Sequence, residues 1–530
     1  MKKTNIYNKV VAFAMGAMVL TSCNEYLDKL PDDRAEVNTI EKASKLITSA
    51  YPQGSANLIL EMLSDNVLDY GNQYSAPILC DELYRFKDVT DQGNDSPYNV
   101  WNNFYSAVAS ANQALCSIEK MGQTANARAQ VAEAKLCRAY GMFMLAQVFC
   151  MEWNPEKADE YLGLPYPLKP EEDLNAVYKR GTLRQLYEAI DKDIEEALPY
   201  VSDELYGTTP KYHFNRQAAY AFAARFNLYY LNWDKVIAYA NEVLGTGDPI
   251  SRLRNYEQYE ELGRRDIANL YVSSSEPANL MFTTPYSMAP YYLAYGGSGR
   301  FGHNQTVVSY ETYWAEMPWG RGTTDNTIYY AKKMYGTNPC VAFPKLDPFF
   351  EYTDRVAGIG YHHSVDPVFT TDETLLCRAE AYALKGEATY GKVVEDINYW
   401  ITTHCKESEG KAVRPVMTVD DINTFIEGVD TALVNWNTVG DLSIRKALHP
   451  QGFTVNAGTQ DNIIQFILHM RRLETIFQGL RFADLKRYGI EYIHKVRGED
   501  PVLHKAGDLR DAVQLPIDVI TAGLEPNPRD

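Results

Sequence analysis

The sequence lacks long apolar runs, although 45% of its 530 residues are hydrophobic. The run Val10–Leu20 is the only one that stands out. It is about half as long as the ~20 apolar residues that a transmembrane helix needs. No later segment approaches that length, so the sequence excludes a protein held in the bilayer by spanning helices.

Positive charge is also in short supply. The chain has 51 Lys and Arg against 69 Asp and Glu, which gives a formal net charge of −18. Such a balance argues against a surface that binds nucleic acid or anionic lipid, because both need clustered cations. It favours a protein that is soluble outside the cell and takes a neutral ligand.

The usual marks of metal sites and catalysis are missing as well. The eight cysteines include no CxxC pair, so we expect buried free thiols. The only adjacent histidines, His362 and His363, are predicted to lie on a surface loop. There is no HExxH, no GxSxG and no glycine-rich phosphate loop. A pair of carboxylates could serve a glycosidase, but 69 acidic residues make accidental pairs common. We therefore expect no enzyme, no cofactor and no metal.

The N-terminus does carry a recognisable pattern. Lys2, Lys3 and Lys9 precede the apolar run, which ends in Leu20-Thr21-Ser22-Cys23. Charge, length and small residues before a cysteine are typical of a lipoprotein signal peptide. They predict a signal over residues 1–22, lipidation of Cys23 and a polar tether over 23–36. The alternative is a soluble N-terminus with a core helix and an incidental cysteine.

Apolar residues recur at helical spacing through much of the chain, which predicts a mainly α fold. The predicted helices cover these ranges: 97–121, 128–149, 182–201, 215–244 as a pair, 371–385, 393–403 and 462–478. Alanines facing large aromatics suggest close helical pairs of the tetratricopeptide (TPR) kind, without the strict consensus. We expect a TPR-like scaffold with early ligand loops over 37–250, an irregular aromatic and glycine-rich excursion over 251–370, and C-terminal helices with an extended tail over 371–530.

Several motifs in this order resemble one family. They are the lipobox at Cys23, Glu133–Tyr140 (EAKLCRAY), Leu375–Tyr382 (LLCRAEAY), the run Arg471–Gly489 with its RRLE and GLRFADLKRYG segments, and Leu515-Pro516-Ile517. Together they resemble the SusD/RagB-like outer-membrane nutrient-binding lipoproteins of the Bacteroidetes. The resemblance implies a SusD-like fold, a lipid anchor in the outer membrane facing the cell exterior, and a SusC-like TonB-dependent transporter as partner.

The cargo implied by the resemblance is a glycan. Two alternatives stay open: a peptide, as in the RagB branch, or a TPR-like scaffold that assembles other proteins. A peptide site should rely less on aromatic platforms, and a scaffold needs no aromatic excursion. The crowded rings of the excursion therefore favour the glycan.

Candidate ligand residues lie in the excursion and, as the resemblance implies, in an early loop over residues 66–81. Aromatic rings offer flat apolar faces suited to sugar rings, and glycines leave room for a ligand. The predicted glycan contacts are Tyr291, Tyr292, Trp314, Trp319 and Arg321 of the excursion and Asp69, Tyr70 and Asn72 of the loop. The alternative for each ring is that it packs the excursion onto the helices.

Charged residues inside the late apolar stripes have a different interpretation. Arg378, Glu380, Arg481 and Asp484 alternate with residues of a helical core. Charges are rarely buried unless they are paired, so we expect structural ion pairs that tie the late helices to the scaffold. Gln478 stands where the family usually has Glu, which puts one buried charge network in doubt.

Overall fold

The computed structural model describes residues 37–71, 74–171, 178–294, 299–336 and 340–529. The predicted signal peptide, the lipidated Cys23 and the tether lie outside these ranges. Within them, no helix is both long and apolar enough to pass through a membrane. The mainly α fold predicted from periodicity is confirmed.

Helices make up most of the regular structure. The helices are α1 Ile40–Ile47, α2 Asn57–Met62, α3 Ile78–Tyr84, α4 Pro97–Lys120, α5 Arg128–Phe149, α6 Leu183–Ala197, α7 Arg216–Tyr229, α8 Trp233–Leu244, α9 Arg264–Tyr271, α10 Ala289–Leu293, α11 Gln305–Tyr310, α12 Thr371–Lys385, α13 Tyr390–His404, α14 Val419–Glu427, α15 Thr459–Thr475, α16 Leu480–Arg487 and α17 Ile517–Thr521. The strands are β1 Leu68–Asp69, β2 Asn279–Thr283, β3 Phe301–Gly302, β4 Gly320–Arg321, β5 Asp325–Asn326, β6 Phe349–Asp354, β7 Ile359–His363, β8 Asp366–Thr370, β9 Ser408–Glu409, β10 Ala412–Val413, β11 Tyr492–His494 and β12 Val502–His504.

The main helices start where their capping residues are. Ser96 accepts a hydrogen bond from the Asn99 amide ahead of α4, and Pro97 occupies the first turn, where its missing N–H costs nothing. Thr370 caps α12 by accepting from the Glu373 amide. The Glu373 carboxylate does not complete a capping box, because it pairs with Arg225 of α7. Local capping thus sets where these helices begin. The Glu373 carboxylate is used in a tertiary ion pair with Arg225 instead of in the cap.

Successive helices pack as pairs around a common core. α4 lies against α5, α5 against α6, α7 against α8, and α12 against α8, α13 and α15. Small residues permit close approach: a Cβ at Gly141 of α5 would lie 2.9 Å from Val108 Cγ2 of α4. The TPR-like helical scaffold expected from the alanine and aromatic pattern is confirmed.

A buried charge network joins three of the late helices. Arg471 of α15 is fully buried, and its Nε lies 3.0 Å from Asp484 Oδ2 and 3.3 Å from Glu380 Oε2. Arg487 Nη2 contacts both Glu380 Oε1 at 2.9 Å and Asp484 Oδ1 at 2.8 Å. Burial opposes ionisation of Asp484, but the two guanidinium groups hold its pKa below the ordinary value. Gln478 does not interrupt this network.

Two further pairs connect helices with the segments they pack on. Arg378 of α12 forms a fork with Asp396 of α13, at 3.0 and 2.6 Å. Arg481 of α16 forms another with Asp65, in the loop after α2, with both N···O distances at 2.8 Å. All four side chains are buried, so the predicted structural ion pairs are confirmed.

The extended tail predicted at the C-terminus is partly wrong. One short helix, α17, begins directly after Pro516, which takes φ −54 and ψ 140 as its N-cap. Proline disfavours helical backbone at the residue before it, but a helix can begin directly after it. Beyond α17 the tail is irregular, and Asn527 Nδ2 fastens it by donating to Phe149 O at 3.0 Å and Val513 O at 2.7 Å.

The central excursion between α8 and α12 contains paired short strands. β2 and β8 form an antiparallel ladder that leads the chain back to the N-cap of α12. β6 and β7 form a hairpin, and β1 pairs with β3. The β1–β3 pair places the excursion beside the early loop. The domain boundaries at residues 250 and 370 remain predictions.

Candidate functional site

The early loop and the excursion meet as the resemblance implied. β1 and β3 pair antiparallel, with Leu68 opposite Gly302 and Asp69 opposite Phe301. Arg300 completes the junction with a fork onto Asp69: Nε to Oδ1 at 2.8 Å and Nη2 to Oδ2 at 2.7 Å. Two segments more than 200 residues apart in the chain are therefore held together at one edge of the molecule.

The Asp69 carboxylate is fully occupied by this junction. Besides Arg300, it accepts from the Gly71 amide at 2.7 Å and from the Arg497 amide at 2.9 Å. Burial opposes ionisation, but these donors lower the pKa of Asp69 below its ordinary value. A carboxylate has about four acceptor positions, and here all are used. Asp69 therefore positions the loop, and a ligand would reach it only by displacing a donor.

Tyr70 follows Asp69 and is half-buried. Its ring lies against Gly302, where an added Cβ would be 3.6 Å from the ring edge, and it meets Tyr74 edge-on with centroids 6.2 Å apart. Burial raises the pKa of the Tyr70 hydroxyl far above its ordinary value. Asn72, the third predicted contact of this loop, lies outside the described residues. A partly open ring thus lines the junction.

The predicted Tyr291 and Tyr292 belong to a larger exposed surface, which we call the aromatic face. It consists of Tyr291, Tyr292, Phe350, Tyr352 and His362; Tyr286 and Tyr361 form a separate ring pair on the opposite side of the β6–β7 hairpin. Ring centroids are 6.0 Å apart for Tyr291–Tyr292 and Tyr291–His362, 5.0 Å for Phe350–His362, 4.8 Å for Phe350–Tyr352 and 5.7 Å for Tyr286–Tyr361. Tyr291 is 39% exposed, Tyr352 53% and Tyr361 55%, whereas Tyr292 is half-buried.

Part of the aromatic face stands on the β6–β7 hairpin, which was not predicted. Asp354 Oδ1 accepts from the Val356 and Ala357 amides in its turn, and Gly358 supplies the positive φ of 68° that ends it. The aromatic residues that precede the turn from Asp354 to Gly358 are typical of a strand, and this pattern could have predicted the hairpin. The loop predicted for His362 and His363 is wrong, since both lie on β7.

The rest is held by a buried carboxylate that was also missed. Asp95 Oδ1 accepts from Ser287 Oγ at 2.6 Å, and Oδ2 accepts from the Met288 amide at 2.6 Å. Burial raises the pKa of Asp95 to about 7. Asp95 stands just before the Ser96-Pro97 helix start, so α4 and the aromatic face share one fixed point. The Asp-Ser-Pro sequence signals the helix start but not this distant contact.

Trp314 and Arg321 lie at a second place, a cleft of about 830 Å³. Trp314 is partly exposed, and its Nε1 donates to Ala331 O at 2.9 Å. Arg321 is exposed beside Glu316, with an N···O distance of 3.5 Å. Tyr310 and Phe425 also line this cleft, which we call the Trp314 cleft. The predicted contacts are therefore divided between separate surfaces.

Trp319 is placed in the core and does not line the surface. It is 1% exposed, with Trp400, Phe466 and His469 around it at centroid distances of 5.7, 5.9 and 6.3 Å. A ligand on the surface cannot reach this ring without unpacking α13 and α15. For Trp319 the structure favours the alternative, in which the ring packs the excursion onto the helices.

The arrangement offers open aromatic rings, and some of the nearby carboxylates are paired with arginine. Among the described residues, no group of three or more His, Cys, Asp or Glu side chains is disposed to hold a metal ion. Asp69 and Glu316 are each paired with an arginine, and Asp325 of the Trp314 cleft accepts from the Lys411 amide at 2.8 Å. Such a surface is suited to stacking against a ligand with flat apolar faces.

Comparison with known proteins agrees with the fold. Residues 25–228 match a SusD-like family model described as "Starch-binding associating with outer membrane". A SusD-like protein of Formosa agariphila is 23% identical over 411 residues, 74% of this chain and 73% of the relative.

Two solved structures share the architecture. A SusD superfamily protein from Bacteroides fragilis is 18% identical, with 91% of this chain and 97% of that chain covered at a TM-score of 0.60. A SusD-like carbohydrate binding protein from Bacteroides vulgatus is 13% identical, with 88% and 90% covered at a TM-score of 0.57. The predicted resemblance is thereby confirmed. The chain has a SusD-like fold, and residues 25–228 match the SusD-like family model.

Proposed function

We propose that the chain captures an oligosaccharide or polysaccharide on the aromatic face and delivers it to a SusC-like TonB-dependent transporter of the outer membrane. The observation that carries the proposal is the set of exposed rings around Tyr291 on a chain of net charge −18. Polar proteins rarely expose contiguous aromatic surface without a ligand or partner for it. The matched family description and the carbohydrate-binding relative support a glycan.

The geometry suits reversible capture. Tyr291, Phe350 and Tyr352 present ring faces and edges in different orientations, so successive sugar rings can each find a platform. Stacking on one exposed ring contributes on the order of 1 kcal/mol, which keeps affinity modest and allows release. Asp69 and Glu316, beside the predicted contacts, are each paired with an arginine, which favours a binding role over a catalytic one for these two carboxylates.

The N-terminal pattern and the family description support the location. Cys23 would carry several acyl chains after cleavage, which is enough for stable anchoring. The anchored chain would stand at the outer membrane and face the cell exterior. The short tether from Cys23 to residue 36 would keep the helical scaffold near the membrane surface.

Peptide cargo is the second candidate, and binding measurements separate the two. Titration calorimetry of the purified protein against plant, host-mucin and microbial polysaccharides, beside matched peptides, should give heat with one glycan class. Tyr291→Ala and Tyr352→Ala should each weaken that signal about tenfold, since each removes an exposed platform. Tyr200→Ala serves as the matched control, because Tyr200 is 46% exposed but lies after α6, away from the aromatic face.

The outcomes assign the role. A signal from peptides alone would move the cargo to the peptide branch. Loss of binding in Trp314→Ala but not in Tyr291→Ala would move the glycan to the Trp314 cleft. The absence of binding heat with every glycan and peptide would contradict the capture role and leave the scaffold alternative. Delivery is tested separately, by whether the affinity-tagged protein retains a TonB-dependent transporter when outer membranes are solubilised.

A further inference from the structure

A third surface combines two of the predicted loop contacts, Asp69 and Tyr70, with late residues that were not predicted. It is a cleft of about 510 Å³, which we call the Asp69 cleft, lined by Asp69, Tyr70, Trp436, Lys495 and Arg497 among others. This volume falls within the range of small-molecule pockets, about 300–1,000 Å³. The cleft therefore has room for one or two sugar residues.

Trp436 and Lys495 form the centre of this cleft. The Lys495 ammonium lies 3.5 Å from the centroid of the Trp436 ring, which is partly exposed. A cation over an indole face is a favourable pair. Both partners are held in place. Asp441 Oδ2 accepts from the Asn437 amide at 2.7 Å, and Lys495 O accepts from Tyr84 Oη at 3.0 Å.

The acidic groups of the cleft are already neutralised. Asp69 is engaged by Arg300, and Glu499 forms an ion pair with Arg85. Within the part of the chain that the structure describes, the Lys495 ammonium has no carboxylate within ion-pairing distance and makes no hydrogen bond. Partial burial lowers its pKa, and Asp441 opposes this only at longer range. The cleft therefore keeps a partly desolvated cation with no matching anion.

We infer that the Asp69 cleft binds an acidic sugar residue, whose carboxylate or sulfate group accepts hydrogen bonds from the Lys495 ammonium beside Trp436. The exposed amides of Asn435 and Asn437 lie on either side of Trp436 and can bind hydroxyl groups of the same residue. The indole supplies the apolar wall. This inference rests on the proposed function and narrows its ligand to an acidic glycan, against the neutral ligand expected from net charge.

The net charge of the whole chain and the Lys495 ammonium in the cleft favour different ligands. The net charge of −18 repels an anion at a distance, but salt screens that field beyond about 8–10 Å. A charge-assisted hydrogen bond to the partly desolvated ammonium acts at contact and is stronger than one between neutral groups. The local cation therefore decides which glycan residue the cleft accepts.

Titration calorimetry with three oligosaccharides of equal length tests the inference: an oligogalacturonate, a sulfated galactan fragment and a neutral galactan fragment. The wild-type protein should bind at least one acidic oligosaccharide about tenfold more tightly than the neutral one. Lys495→Gln should abolish this preference and Lys495→Arg should keep it. Raising the ionic strength should weaken the acidic complex and leave the neutral one unchanged.

Two further variants serve as controls. Trp436→Ala should weaken binding of both the acidic and the neutral oligosaccharide, since it removes the wall and not the charge. Lys120→Gln removes an exposed ammonium at the end of α4, outside the three surfaces, and should change nothing. Equal melting temperatures of wild type and Lys495→Gln would show that the fold is intact.

Each result separates the inference from the proposed function. The inference is overturned if acidic oligosaccharides bind no more tightly than neutral ones, or if Lys495→Gln keeps the preference. In that case neutral binding that depends on Tyr291 leaves the proposed function standing. Failure of every glycan overturns both. Binding of only the galacturonate or only the sulfated fragment identifies the anionic group.

Discussion

The late helices and the aromatic face are both rich in aromatic residues, but these residues are buried in the helices and exposed on the aromatic face. Trp400 of α13 and Arg471 of α15 are fully buried, the former packed on Trp319 and the latter paired with carboxylates. On the aromatic face, Tyr352 is 53% exposed and Tyr291 is 39% exposed. Aromatic and charged residues stabilise the fold where they are enclosed and remain available for a ligand where they are open.

The difference lies in what completes each contact. In the late helices the buried charges of Arg471, Glu380 and Asp484 are paired and Trp319 packs on Trp400, so removing one leaves an unpaired charge or a cavity. On the aromatic face the outer side of each ring meets solvent, so removing one leaves the fold unchanged. Variants should therefore separate into those that change the free energy of unfolding and those that change affinity.

Arg471→Met should give the largest effect. It leaves Glu380 and Asp484 buried around one cation fewer, which typically costs about 3–5 kcal/mol. Urea unfolding of wild type and variant measures the loss. Arg216→Met is the matched control, because its pair with Glu242 is about half exposed and should contribute at most ~1 kcal/mol. Equal losses in both variants would show that burial does not govern these pairs.

Trp319→Ala should follow, with a loss of about 3–5 kcal/mol from the cavity that it opens among Trp400, Phe466 and His469. Urea unfolding again reports the change, and glycan affinity of the folded fraction should stay constant. A variant that unfolds like wild type but binds glycan weakly would return Trp319 to the ligand site.

Asp95 connects the two regions and should respond to pH. Its folded pKa of about 7 lies above the ordinary value of 3.8. The native state therefore holds a proton that the unfolded state has released, and stability falls as pH rises from about 4 through 7. Burial is the main cause, and Asp366, also buried with a pKa raised to about 6, adds repulsion.

Asp95→Asn, which imitates the protonated form, should reduce this loss by about 2–4 kcal/mol between pH 4 and pH 8. The amide can keep both contacts, since Ser287 Oγ can accept as well as donate. Denaturant unfolding at both pH values checks it. If the free energy of unfolding changes with pH as much in the variant as in wild type, the pH dependence belongs to other buried acids. Glu152, whose pKa is raised to about 8, is one of them.

Phe350→Ser should show the contrast on the aromatic face. Phe350 is 39% exposed on the hairpin, so its loss should cost less than ~1 kcal/mol in stability. Glycan affinity should fall about tenfold, because the ring supports both Tyr352 and His362. Calorimetry and thermal unfolding of the same sample measure both quantities. A large stability loss with unchanged affinity would make the hairpin a structural element.

The helices could be predicted because their patterns are local. The range predicted for α12, 371–385, is the observed one, and that for α4 differs by one residue. Capping residues such as Ser96 and Thr370 lie within four residues of the groups they bind. Periodicity and capping are both readable in a short window of sequence.

The candidate site could be predicted only in part because its contacts are distant in the chain. Asp69 was predicted as a ligand contact, and no local pattern indicates that it pairs with Arg300, which lies 231 positions away in the chain. Trp436 stands alone in a polar loop, without aromatic neighbours to draw attention to it. Trp319 was indistinguishable from Trp314 in sequence, since only tertiary packing buries one and leaves the other partly open.

Arg321→Ala should give the smallest effect and decide the part played by the Trp314 cleft. Arg321 and Glu316 are both about three-quarters exposed, so their pair should contribute within about 0.5 kcal/mol of nothing to stability. If the aromatic face alone binds glycan, affinity should also stay constant. A fall in affinity with unchanged stability would show that the ligand extends into the Trp314 cleft, because an exposed guanidinium has no other route to affect binding.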